Sequence, residues 1–167
     1  MPSTPDLPSG GVPGGGTERV ADEAGLRAVA RRLARTLPPR ALLALHGDLG
    51  AGKTTFVKAM AAAAGVDPAD VVSPTFGLVH VHAVPPRPGG PERIVHADFY
   101  RLGGAADLHE IGWEDATAGA CWVFVEWPSR AEEALWPDRL DVEISVAGET
   151  ARSLEFTPRG GFPAGPW

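Results

Sequence analysis

The chain has 167 residues, 44% of them hydrophobic and 22% charged, with a formal net charge of −6. That size and composition suit one globular domain, long enough for a sheet covered by helices, and the acidic balance argues against a broad electrostatic grip on nucleic acid. One cysteine, Cys121, excludes an internal disulfide and fits a reducing compartment. No apolar run approaches the about 20 residues that span a bilayer, and no basic-then-apolar leader opens the chain, so a cytoplasmic protein without membrane association is expected.

Residues 1–17 are dominated by Pro, Gly, Ser and Thr and end in Gly14-Gly15-Gly16. They bury too little apolar surface to offset the entropy of ordering, which predicts a disordered tail. The folded domain is expected over residues 18–157, followed by a flexible Gly/Pro tail over 158–167. Residues 18–37 read as an amphipathic helix with Val20, Ala24, Val29, Leu33 and Leu37 near one face and Arg27, Arg31, Arg32 and Arg35 largely opposite. The arginines read as a solvated helix face, or as a docking patch. Pro38-Pro39 ends that helix.

Ala41-Leu-Leu-Ala-Leu-His46 is a short apolar run suited to a buried parallel strand. Gly47-Asp48-Leu49-Gly50-Ala51-Gly52-Lys53-Thr54 follows and fits the pattern G-x-x-x-x-G-K-[ST]. Glycines there let successive N–H groups point inward as a concave anion nest. Lys53 can reach the β- and γ-phosphates of a nucleoside triphosphate, and the Thr54 hydroxyl can ligate Mg²⁺. Thr55 to Ala64 is rich in helix formers and stops at Gly65, so a helix N-terminus faces the same phosphates. Strand, glycine loop and helix is the order the motif requires. This stretch predicts nucleotide binding, and Glu23 is a distant-analogy candidate for a position near the base.

Further along, Phe76 to Val81 alternates like a strand entered through a turn at Ser73-Pro74. Residues 84–91 form a Pro/Gly/Arg loop. Ile94-Val-His-Ala-Asp98 reads as a strand delivering Asp98 to its end, residues 107–116 as broken helix, and Cys121 to Val125 as an apolar strand ending at Glu126. Residues 140–146 and 152–156 alternate as two later strands, antiparallel or at an edge.

Hydrolysis or transfer needs a carboxylate presented by a neighbouring strand, and Glu126 fits that position. Asp98 reads as a second such acid or as a plain turn former. Acids at the carboxyl ends of neighbouring parallel strands converge on one crevice. Ser73-Pro74-Thr75 reads as a turn, or as a switch that brings a hydroxyl to the phosphates. The Trp127 indole packs either on a nucleotide or partner or in the core. His80, His82 and His96 read as structural, because no Cys or acid spacing completes a zinc pattern. The chain has no asparagine and no glutamine, which excludes an Asn-Lys-x-Asp guanine reader and a water-orienting glutamine. A conventional GTPase is out.

Four blocks in order resemble the TsaE (YjeE) family of P-loop ATPases of tRNA threonylcarbamoyladenosine biosynthesis. They are Gly47 to Thr55, Ser73-Pro74-Thr75 with Leu78-Val79, His96-x-Asp98-x-Tyr100-Arg101-Leu102, and Glu126-Trp127-Pro128. The resemblance implies a three-layer α/β P-loop NTPase sandwich with a mixed, largely parallel central sheet. It implies that Gly47 and the run Leu49, Gly50, Ala51, Gly52, Lys53, Thr54 and Thr55 bind ATP, with Thr75 as part of the switch and Trp127 beside the nucleotide. It assigns Mg²⁺ to Thr54 and Glu126, with Asp98 at the metal or attacking water, and catalysis to Lys53, Asp98 and Glu126. Weak ATP hydrolysis would reset a TsaB–TsaD complex, with tRNA held by that complex and not by this acidic chain. Phe76-Gly77 departs from the family's usual tyrosine and threonine. Two other classes fit a P-loop of this length: a small-molecule kinase, although the loop at 85–93 has only Arg87 and Arg93 for a lid, and a nucleotide-dependent binding module with little catalysis.

Overall fold

The computed structural model describes residues 14–74, 78–165 and 167. Thr75, Phe76 and Gly77, and residues 1–13 of the expected disordered tail, lie outside the described residues. Among the described residues, seven strands form one sheet: β1 (Gly16–Val20), β2 (Ala41–His46), β3 (Val79–Ala83), β4 (Arg93–Asp98), β5 (Cys121–Glu126), β6 (Arg139–Val146) and β7 (Arg152–Arg159). Their order is β1-β7-β6-β2-β5-β4-β3. The central pairs β6/β2, β2/β5 and β5/β4 are parallel, and antiparallel pairs β1/β7, β7/β6 and β4/β3 flank them. The sheet is mixed with a parallel heart, as the resemblance implies.

Each central strand is apolar on both sides because helices cover both faces. Leu43 and Leu45 of β2 and Trp122 and Phe124 of β5 pack with Phe56, Met60 and Leu33 of helices α1 (Glu23–Thr36) and α2 (Lys53–Ala64). The alternate residues Leu42, Ala44, Val123 and Val125 face the other layer. There they join Leu108 of α3 (Ala105–Glu110) and Trp113 of α4 (Trp113–Ala116). Fully burying one such Leu or Phe contributes about 1.5–3 kcal/mol, so the two cores carry the domain.

Three local expectations change. Helix α1 starts at Glu23, not at residue 18, because the Asp22 carboxylate caps it by accepting from Gly25 N–H at 2.9 Å. Its buried face is Leu26, Val29, Ala30, Leu33 and Ala34, so Ala24 turns outward and Val20 belongs to β1. Residues 16–20 pair with β7, from Gly16 opposite Phe156 to Val20 opposite Arg152, and satisfy backbone groups that β7 would otherwise expose. That cover makes β7 an interior strand, and β6 lies between β7 and the parallel β2. Strand β3 runs 79–83, later than expected, and forms the opposite edge.

The C-terminal stretch packs as well. β7 continues to Arg159, Phe162 is buried, and the Trp167 ring lies 6.2 Å from Phe156 and 6.3 Å from Phe162. Cys121 is buried, and burial pushes its thiol pKa up. No helix among the described residues is long and apolar enough to cross a membrane.

Candidate functional site

The parallel strands place their carboxyl ends together, and β2 runs straight into the loop 47–52. Gly47, Gly50 and Gly52 hold φ of 143°, 79° and 110°, which side chains disfavour. A Cβ on Gly47 would also collide with the Ile144 carbonyl oxygen of β6. Helix α2 begins at Lys53 without a side-chain cap, so its first N–H groups and its dipole face the loop's concavity. Lys53 Nζ folds back over the loop, donating to Gly47 O at 2.6 Å and Asp48 O at 3.1 Å. Burial pulls its ammonium below the ordinary lysine value, against the opposing pull of Glu126, Asp98, Asp48 and Glu143.

Glu126 closes the site from β5. The Thr54 hydroxyl lies 3.0 Å from Glu126 Oε1 and 3.3 Å from Oε2, joining residues 72 positions apart. Asp98 is directly opposite Glu126 in the β4/β5 register. Its carboxylate accepts from Tyr100 N–H at 2.9 Å. Burial holds the Asp98 carboxyl above its usual range, with the Tyr100 amide and the charges of His96 and Lys53 opposing and Glu126 adding to the rise.

Trp127 adopts φ 56°, ψ 50°, a left-handed conformation that costs a non-glycine residue about 1–2 kcal/mol and marks functional turns. Its ring takes the Lys53 ammonium at 4.2 Å from the centroid, and Tyr100 lies 5.1 Å beyond. A cavity of about 280 Å³ opens here, lined by Leu49, Ser73, Asp98, Tyr100, Arg101 and Trp127. Leu49 is 90% exposed at the loop tip. On the other side of the loop, a cavity of about 450 Å³ is lined by Gly52, Thr55, Val20, Leu26, Ile144 and Glu23 among others, so Glu23 stands one cavity width from the loop.

The structure therefore brings Gly47, Leu49 to Thr55, Asp98, Glu126 and Trp127 to one end of the sheet; Thr75 lies outside the described residues. It also adds a residue read as structural. His96, fully buried on β4, sits with Nε2 at 2.8 Å from Glu126 Oε2. A signal was available: His96 and Asp98 are two apart on a strand and share a face. His80 and His82 lie at the β3 edge with rings 6.4 Å apart.

The donor set decides what fits. Inward amides with an ammonium suit a polyphosphate, and a hydroxyl beside a carboxylate suits a hard divalent cation. Among the described residues no three His, Cys, Asp or Glu side chains converge on a common metal position. An ion held by one or two protein oxygens, completing its shell with phosphate and water as Mg²⁺ does, matches that set.

Sheet order, glycine loop and flanking acids together define a P-loop NTPase-type domain. Relatives narrow that class. Residues 20–154 match the profile of the family described as threonylcarbamoyl adenosine biosynthesis protein TsaE. A tRNA threonylcarbamoyladenosine biosynthesis protein TsaE of Streptomyces coelicolor is 40% identical over 127 residues, covering 75% of this chain and 83% of that protein. The Bacillus subtilis protein of the same name is 34% identical over 134 residues, 80% of each. A crystal structure of Bacillus subtilis YdiB superposes with a TM-score of 0.66 at 29% identity, covering 87% of this chain and 86% of that one. The chain belongs to the TsaE family.

Proposed function

We propose that the chain is a weak, magnesium-dependent ATPase that supports repeated turnover of a TsaB–TsaD complex making N6-threonylcarbamoyladenosine in tRNA. The observation that carries the catalytic part is the Thr54–Glu126 pair at 3.0 Å beneath the glycine nest. The loop amides and the N-terminus of α2 would hold the phosphates. Lys53 would exchange its bonds to Gly47 O and Asp48 O for phosphate oxygens and steady the charge on the leaving diphosphate. Thr54 and Glu126 would hold Mg²⁺, which would supply charge neutralisation for the phosphates. His96 Nε2–H would donate to Glu126 Oε2 and orient that carboxylate.

Asp98, one strand over, would orient the attacking water and accept its proton at a carboxylate oxygen. Its raised pKa suits that task better than an ordinary aspartate's. Glu23, Leu26 and Val20 around the larger cavity offer an apolar slot with an acidic rim for adenine. The acidic net charge fits a protein that meets tRNA only through its partners.

The test is phosphate release from ATP by the purified chain, alone and with TsaB–TsaD and tRNA, beside Lys53→Ala. Slow release that the complex accelerates and Lys53→Ala abolishes is expected. Label transferred to a metabolite instead of water would replace the ATPase with a kinase. Release indifferent to the complex, with no co-elution, would remove the partner role.

A further inference from the structure

We infer that Arg152 is a positioning residue for the phosphates, acting through the Ala51–Gly52 peptide; this rests on the nucleotide reading above. Arg152 opens β7, 101 positions from the loop, yet its Nε donates to Ala51 O at 2.8 Å. Its Nη1 donates to Ala151 O at 2.9 Å, so one guanidinium spans two carbonyls with divergent N–H groups. Lysine, with one ammonium point, cannot hold both in that geometry.

Peptide planarity then orients the neighbouring amide. In a trans peptide the C=O and the next N–H point to opposite sides. Drawing the Ala51 carbonyl toward β7 therefore turns the Gly52 N–H away from Arg152 and into the loop's concavity. Gly52 is the hinge of the nest: its φ of 110° allows the turn, and its own carbonyl already accepts from Phe56 N–H at 2.9 Å in α2. Without a partner for Ala51 O, the freedom of Gly52 at φ 110° leaves that peptide able to flip, and an amide aimed at a phosphate becomes a carbonyl aimed at it.

Arg152 is held by a braced frame. Ala147 N–H donates to Ala151 O at 3.0 Å across the β6–β7 turn. The turn is tied to the corner before α1 by Arg19 Nη2 to Ala147 O at 2.9 Å and Thr150 Oγ1 to Ala21 O at 2.8 Å. Arg152 also lines the larger cavity beside Gly52 and Thr55, so its charge is within reach of the bound anion's field.

Calorimetric ADP affinity and the Gly52 amide resonance in ¹⁵N-labelled chain test this, using wild type, R152K and R152M. The expected result is an ADP affinity lowered by at least about tenfold in R152M and by less in R152K, with the Gly52 resonance displaced in R152M before any nucleotide is added. An R152M affinity within about twofold of wild type, or an unmoved Gly52 resonance, overturns the role of Arg152. If R152M does not fold, R152K is measured in the same two ways: a lowered ADP affinity with a displaced Gly52 resonance supports the role, and either one unchanged overturns it. Wild type that fails to bind ADP would overturn the nucleotide reading itself, which a normal wild type beside a normal R152M would leave standing.

Discussion

Two charged clusters lie on either side of β2, and the protein treats them in opposite ways. At the carboxyl ends of β4 and β5, burial pulls Lys53 down and pushes Asp98 up, so folding disfavours the ionised form of both. On β6 and β7, Asp141 is also buried, and burial alone would raise its pKa. The facing His46 imidazole and hydrogen bonds from Arg159 at 2.7 Å and Arg139 at 2.8 Å outweigh that and bring it down to about 2. His46 is the residue immediately before Gly47, so the clusters are neighbours. One holds its charges fully compensated and gains stability. The other holds charges that burial disfavours, which costs stability.

Breaking the compensated cluster should have the largest effect. Asp141→Ala leaves Arg139 and the half-exposed Arg159 without their carboxylate and should lower stability by about 2 kcal/mol in urea unfolding, with nucleotide affinity nearly intact. Lys53→Ala should do the reverse. Nucleotide affinity should drop about 100-fold, while the thermal midpoint holds or rises because a desolvated ammonium is gone.

Acid separates the clusters by sign. Asp141 has a lower pKa folded than the ordinary aspartate value of 3.8, so its contribution is complete above about pH 5. About 2 kcal/mol should be lost as pH falls from there through about 2, and Asp141→Asn should flatten that part of the curve. Asp98 runs the other way: its raised pKa means the folded protein binds the proton more readily, so ionisation with rising pH costs stability. Asp98→Asn should give the smallest stability change, a slight gain in thermal midpoint at neutral pH. It should nevertheless slow phosphate release by about 100-fold or more. A destabilised Asp98→Asn would erase the contrast between the two regions.

Elements whose cause is local were legible in the chain. The glycine loop and α2 follow from Gly47 to Gly65, because backbone freedom, a motif lysine and helix formers act within a few residues. Strands β4 and β5 followed from apolar runs ending in Asp98 and Glu126, and the broken helix over 107–116 appears as α3 and α4. Strand β1 was not legible. Gly16-Thr17-Glu18-Arg19-Val20 has little strand character alone and becomes one only because β7 presents a row of unpaired backbone groups. The packing of Phe162 and Trp167 was hidden for the same reason, since Gly and Pro spacing says nothing about an aromatic neighbour brought in by the sheet.

By itself, then, the sequence determined the glycine loop, its lysine and hydroxyl, and which acids end strands, because those depend on covalent order and on the period of the strand. Tertiary structure alone decided that Glu126 meets Thr54, that His96 holds Glu126, and that Arg152 grips Ala51. Those pairs stand 72, 30 and 101 positions apart, and only the strand order that lays β4, β5, β2, β6 and β7 side by side brings them within hydrogen-bond reach.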